Sequence, residues 1–295
     1  MLDVVLSPDV PLEIGTDVPG RVALVQGGSA ANTARWLSRL GAHSTLVAAV
    51  GRDAAGLALI DALRRDGVVP RVSRVAGART GRIGVLVMPG GERSFVADRG
   101  AADLLRAEDL RAAWFREATA VHMPVYSLFG DPLGAAGLRA IEIGRAGGAL
   151  ISLDLASTGP LLARGRRAAR ELVAAVAPDL LFATAAEAEA LLGRSAVERL
   201  LEVAPHAIVK RGAQGATVMA RSGGERLRFE VATEQIAAAD TTGAGDAFDA
   251  GFLVGWLGSI AAGRSLPATM RRAALAGHRA AARQLSTPRT ELALA

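Results

Sequence analysis

Cysteine is absent from this 295-residue chain, and lysine nearly so: Lys210 is the single lysine among 34 basic residues, the rest being arginine. Without cysteine there is no disulfide framework, no thiolate metal site and no thiol nucleophile, a composition that suits a reducing compartment. Aromatic residues make up 4%, too few for the stacking platforms of single-strand nucleic-acid binders. The four histidines (His43, His122, His206 and His278) lie far apart without metal-ligand spacing. Long hydrophobic runs are missing too. The most apolar stretch, 250–263, is short and glycine-rich, so it reads as a helix buried on all sides rather than a membrane span. Residues 1–8 carry Asp3 and no basic start ahead of an apolar run, which is unlike a signal peptide. The expectation is a cytoplasmic protein with neither membrane nor nucleic acid as partner.

What is present is apolar bulk: 51% hydrophobic residues, 21% charged and 34 glycines. Such a chain buries enough surface to offset its ordering entropy, so general disorder is excluded. The net charge of +5 comes from arginines scattered along the chain, paired only briefly as at Arg64-Arg65, Arg166-Arg167 and Arg271-Arg272. They form no basic stripe, and charge alone assigns no partner.

Apolar runs at 44–50, 120–123, 149–153, 180–183, 207–210 and 216–220 read as strands. They alternate with helix-like stretches at 32–40, 56–66, 107–117, 133–146, 165–175, 185–192 and 195–201. That rhythm predicts a doubly wound, mostly parallel sheet with helices on both faces, folded as one domain over 1–295. Two regions break it. Residues 82–88 and 92–97 flank Pro89-Gly90-Gly91 like a β-hairpin, and 10–26 looks extended. Both predict a small β-sheet standing off the core as a lid, with one face free to pair with a second subunit.

The chemistry concentrates in two glycine-rich turns. Asp240-Thr241-Thr242-Gly243-Ala244-Gly245-Asp246 runs into an apolar helix. Small residues at 243–245 let the backbone N–H groups converge, and the helix start adds free donors and the positive end of its dipole, making an anion cradle. Asp246 is either a helix cap or a base that takes a proton while a phosphoryl group moves to a hydroxyl. Two acids bracketing the cradle favour the base. An earlier turn, Gly27-Gly28-Ser29-Ala30-Ala31-Asn32, allows close backbone approach, with Asn32 either capping the helix or offering its amide to a polyol. A P-loop is ruled out because Lys210 is followed by Arg211, a dinucleotide fingerprint because Phe248 stands where a glycine is needed, and no G-x-S-x-G elbow occurs.

Together the two turns resemble the signatures of the ribokinase-like (pfkB-type) carbohydrate kinases. Gly51-Arg52-Asp53 with Gly56, Gly100-Ala101, and Lys210-Arg211-Gly212 with Gly215 fit as well, so the resemblance spans nearly the whole chain. It implies transfer of the ATP γ-phosphate to a hydroxymethyl group. Asp246 would be the base, and the N–H groups of Gly243, Ala244 and Gly245 the anion hole. Asp3, Gly27, Gly28, Asn32 and Tyr126 would face the substrate, and Lys210, Thr241, Gly212, Gly215 and His278 the nucleotide. Glu187 would organise Mg²⁺ indirectly, and Asp240 would sit at a monovalent-cation (K⁺) site. The lid segments, near 10–26 and 79–100, would close the pocket and join a homodimer. A nucleoside kinase of the same fold and a weakly catalytic sugar- or nucleotide-binding relative are the alternatives.

The chain departs from the family pattern at Thr184, where asparagine is usual, and at Ser29, where ribokinase has lysine. The segment 284–290 lacks the Gly-Ala pair common at the monovalent-cation site. Residues 1–6 read as the second half of a core strand, which on this resemblance implies about ten residues upstream.

Overall fold

Strand 180–184 shows how the sequence builds the central layer. Leu180 and Phe182 point to one side, packing with Ile208, Val218 and Phe252; Leu181 and Ala183 point to the other, against Val209, Val173 and Leu191. An apolar run without polar alternation is therefore covered on both faces. The computed structural model describes residues 1–88, 92–238, 240–287 and 289–294; the expected turn Pro89-Gly90-Gly91 lies outside the described residues.

The strands are β1 (Leu2–Pro8), β2 (Gly20–Gln26), β3 (Thr45–Gly51), β4 (Val69–Val75), β5 (Arg82–Val87), β6 (Arg93–Asp98), β7 (Ala120–Pro124), β8 (Leu150–Asp154), β9 (Leu180–Thr184), β10 (His206–Lys210), β11 (Ala216–Ser222) and β12 (Glu225–Val231). The helices are α1 (Ser29–Arg39), α2 (Ala54–Arg65), α3 (Leu133–Ala146), α4 (Thr158–Leu162), α5 (Arg166–Val176), α6 (Ala185–Leu192), α7 (Ala196–Arg199), α8 (Ala244–Ala261) and α9 (Leu266–Leu285). The described strands form a six-stranded sheet in the order β12-β11-β10-β9-β8-β7, a parallel pair β3-β4, and a four-stranded sheet β2-β1-β5-β6. Strands β7 to β10 are mutually parallel, and β11 and β12 complete the sheet antiparallel. Helices α3, α5 and α6 cover one face and α8 and α9 the other, which is the expected doubly wound architecture. Among the described residues no helix is long and apolar enough to cross a membrane.

The small sheet is present, with three differences from expectation. Strand β1 belongs wholly to it, paired with β2 and β5, and does not run in the central layer. Only 20–26 of the segment 10–26 is a strand, the residues before it forming a loop closed by the Asp9 N–H on the Pro19 carbonyl at 2.9 Å. The helix expected over 107–117 is replaced by two short 3₁₀ turns, 107–109 and 112–114. There the Asp109 carboxylate takes the Arg106 N–H and closes the turn at once. Alternation also failed to single out β4 and β12, which mix charged and apolar residues, and the arginine-rich α9.

Cross-strand partners share a face, so Leu6, Val22 and Val96 lie on one side of the small sheet, and all three are exposed. Asp3, Val85 and Arg93 lie on the other side, toward the core.

Candidate active site

Three neighbouring parallel strands deliver polar side chains at their carboxyl ends: Asp154 on β8, Thr184 on β9 and Lys210 on β10. In an open α/β sheet this edge is where ligands bind. Gly243, at φ 78°, turns the chain into α8, whose first residues meet these strand ends. A Cβ placed on Gly245 would stand 3.5 Å from the Lys210 ammonium, so this glycine and the cation are close neighbours.

Asp246 lies in the first turn of α8. Its two carboxylate oxygens accept from the Ser29 hydroxyl and the Asn32 amide, each at 2.7 Å. Both donors are neutral. The residue is partly exposed, yet protein atoms crowd the carboxylate. This desolvation raises its pKa above the ordinary range; Ser29 and Asn32 pull it back, and the charge of Asp154 adds to the rise.

One turn further along α8, Asp249 is fully buried and has a different partner: Lys210 Nζ donates to both of its oxygens at 3.1 Å. The same ammonium lies 3.1 Å from Asp154 Oδ2. Burial works against the charge on Lys210, but Asp154, Asp249 and Glu187 outweigh it and raise its pKa, so it stays a cation. Burial raises the Asp249 pKa, with Lys210 opposing and Asp154 reinforcing the rise.

The loop ahead of α8 is pinned from four directions. The Thr242 N–H donates to Asp240 Oδ1 at 2.8 Å. Gln284 on α9 donates to the Thr242 carbonyl at 3.1 Å and is itself held by the Trp36 indole N–H at 2.8 Å. From the small sheet, Arg93 reaches Asp240 and the Thr241 and Thr242 hydroxyls, the last at 2.7 Å. Arg289 binds Asp240 Oδ2 through Nε at 2.9 Å. Of the three anion-hole residues expected, Ala244 already spends its N–H on the Thr241 carbonyl at 3.2 Å. Among the described residues no acceptor is found for the N–H groups of Gly243 and Gly245.

Across from the loop, Asp3 is 4% exposed, with Oδ2 on Arg289 at 3.0 Å and Oδ1 without a partner among the described residues. A buried carboxylate oxygen without a partner calls for a donor, and this one lies against Gly27. Gly27 is obligatory here, since a Cβ would fall 1.7 Å from Asp3 Oδ1, and Gly28 adopts φ 92°. These two glycines, Ser29 and Tyr126 border a cleft of about 120 Å³ that runs along β3. Arg99 stacks over the Tyr126 ring at 4.7 Å, and burial pushes the phenol up to about 12.

The sequence-derived residues therefore divide. Asp3, Gly27, Gly28, Asn32, Tyr126, Asp240, Thr241, Gly243, Ala244, Gly245, Asp246 and Lys210 converge. Glu187 lies near enough to Lys210 to raise its pKa, but one of its oxygens caps α6 by accepting the Thr184 N–H at 2.8 Å. Gly212 and Gly215 sit in the β10–β11 turn, where a Cβ on Gly215 would come within 2.2 Å of the Val231 carbonyl. His278 is buried edge-on to Phe248, with Nε2 3.1 Å from the Val231 carbonyl, the same carbonyl that lies against Gly215. Sequence reasoning missed Asp154, Asp249, Arg93, Gln284 and Arg289. The Lys210–Asp249 pair had a signal, because a lone lysine in a buried strand and an acid inside an apolar helix each need a partner.

Backbone donors at a helix start stand beside a carboxylate held by neutral groups, at the carboxyl edge of a doubly wound sheet. Residues 10–292 match the family described as pfkB family carbohydrate kinase, so the chain belongs to that family and is an ATP-dependent sugar kinase. It is 32% identical over 248 residues to fructokinase-1 of Zea mays, covering 81% of this chain and 76% of that one. A probable fructokinase-2 of Arabidopsis thaliana is 29% identical over 247 residues, covering 81% and 75%. Among solved structures, the adenosine kinase of Sinorhizobium meliloti superposes with a TM-score of 0.79 at 26% identity, over 100% of this chain and 94% of that one.

Proposed function

We propose that this kinase phosphorylates the primary hydroxyl of a sugar or sugar derivative, with Asp246 as the base. The observation that carries the reading is the partner set of Asp246: two neutral donors and, among the described residues, no cation bonded to it. It can therefore take a proton from a hydroxyl while the free N–H groups of Gly243 and Gly245 meet the charge on the transferring phosphoryl. Substrate hydroxyls would bind Asp3 Oδ1, Asn32 and the backbone of Gly27 and Gly28, in a cleft bordered by Tyr126. The nucleotide would lie over Lys210, Thr241, Gly212 and Gly215. The fructokinase relatives favour a sugar acceptor, whereas the adenosine kinase neighbour keeps a nucleoside as the second reading, with Tyr126 against the base.

Mg²⁺ fits the residues present. Glu187, with one oxygen on the Thr184 N–H, and Asp154, paired with Lys210, would organise the ion indirectly, since it takes few protein carboxylates and keeps waters and substrate phosphates as ligands. When bound, it would offset the charge on the phosphates.

We also read residues 1–295 as one kinase domain whose small sheet, built by β1 with the lid segments near 10–26 and 79–100, closes over the pocket and excludes water, with cytoplasmic ATP as the donor. Its exposed outer face, Leu6, Val22 and Val96, supports a homodimer through this sheet. Charging that face (V22E with V96E) is expected to turn a dimer in sedimentation into a monomer. A coupled ATP-consumption assay across ketohexoses, aldoses, sugar acids and nucleosides tests the acceptor. Turnover on nucleosides alone would overturn the sugar reading, and none on any acceptor would overturn the kinase role of the site.

A further inference from the structure

Arg289 gathers two acids from opposite ends of the chain onto one guanidinium. Its Nε donates to Asp240 Oδ2 at 2.9 Å and one terminal nitrogen donates to Asp3 Oδ2 at 3.0 Å, while its side chain is only 14% exposed. The other oxygen of Asp240 is occupied as well, by the Thr242 N–H at 2.8 Å and by Arg93 at 3.3 Å. Burial raises the Asp240 pKa, but Thr242 and Arg289 outweigh it, and the carboxyl is held below its ordinary range. The two acids bonded to the guanidinium belong to different parts of the site. Asp3 packs behind Gly27, which borders the cleft, and Asp240 opens the loop that leads through Gly243 and Gly245 to Asp246. The planar fork of arginine can bond both at once, which a point charge does less well.

We propose that Arg289 is a built-in cation of this site. Its guanidinium bridges Asp3 and Asp240, fixes residues 240–243 and so sets the position of the Gly243 and Gly245 N–H groups and of Asp246. Both Asp240 oxygens already hold donors, and Arg289 supplies the positive charge that a monovalent metal ion would bring there, so turnover does not depend on one. Arg289 is a positioning residue, acting through the loop. The turnover arm of its test rests on the kinase reading; the melting arm does not.

The test compares the wild type, R289A and R289K in buffers whose sole cation besides Mg²⁺ is tetramethylammonium, then with K⁺, Na⁺ or guanidinium added. The wild type should show the same kcat and the same melting temperature in all of them. R289A should lose about 10²-fold in kcat with a smaller change in KM, because the loop shifts relative to bound substrates. Added guanidinium or K⁺ should restore part of its kcat and raise its melting temperature, without raising that of the wild type. R289K should fall between the two. The proposal is overturned by a wild type that needs K⁺ for turnover, by an R289A variant with undiminished kcat, or by an R289A melting temperature that no added ion raises. Should R289A fail to fold, the wild-type ion exchange and R289K decide. A wild type inactive on every acceptor would instead remove the kinase reading, with the melting arm still deciding the role of Arg289.

Discussion

Asp246 and Asp249 stand three residues apart in α8, close enough to be neighbours on the helix surface, and burial raises the pKa of both. They differ in what faces them. Asp246 accepts from a hydroxyl and an amide, while Asp249 accepts twice from Lys210. A carboxylate held by neutral donors keeps an appetite for protons, whereas one locked to an ammonium spends its charge on the fold. Residue type, helix and burial direction are shared, so the partner separates a proposed base from a structural ion pair. The ion pair also serves its neighbour by keeping a positive charge beneath Gly245, where phosphates would add negative charge.

The sharpest way to break this comparison is to remove the charge at each position. Asp246→Asn should lose about 10³-fold or more in kcat while still binding nucleotide. Its folded pKa lies above the unfolded value, so the charged form is disfavoured by folding. Above the raised pKa the fold carries that cost in full, and the cost fades as the pH falls from there to the ordinary carboxylate range. Asp246→Asn should therefore melt no lower than wild type at pH values above that raised pKa. Near-normal turnover in this variant would remove Asp246 from the base role.

Lys210→Met addresses the other acid. It leaves Asp154 and Asp249 close together in the interior without their cation, which should destabilise the protein by about 3–5 kcal/mol. At about 2–4 °C per kcal/mol this is a large fall in melting temperature. Stability of the variant should recover as the pH is lowered, because protonating a carboxylate with a raised pKa removes the uncompensated charge. A variant that melts like wild type at neutral pH would mean that Lys210 is not holding these acids.

What the sequence made legible follows the same division. Asp246 and Gly243 to Gly245 lie in one short segment whose spacing alone specifies a helix start with free N–H groups. The donors that define Asp246, Ser29 and Asn32, sit more than two hundred residues away; both were in view as part of a glycine-rich turn, but nothing local said which acid they would face. Arg93 and Arg289 were invisible because arginine is everywhere in this chain, so composition gives no contrast between a solvated guanidinium and one that bridges two acids. The alternating apolar runs revealed the doubly wound layer but not that β1 would leave it for the small sheet, since register depends on partners rather than on the strand's own residues. The 107–117 segment has helical composition, yet a single carboxylate closing on Arg106 was enough to end the turn.

The smallest expected effect sharpens the comparison most. The Ser29 hydroxyl stabilises the charged form of Asp246, so Ser29→Ala should raise the Asp246 pKa further. A hydrogen bond of ordinary net strength corresponds to a shift of about 0.4 to 1 pH unit. A base must be deprotonated to act, so activity falls as the pH drops through its pKa. The acid limb of the kcat/KM profile should accordingly move to higher pH in Ser29→Ala, with a fall of about tenfold or less on the plateau. Asp249→Asn should leave that limb near its wild-type position, because Lys210 keeps Asp154 and Asp249 titrates apart from the proton in transit. A limb that moves with Asp249 and not with Ser29 would reverse the assignment of the two acids.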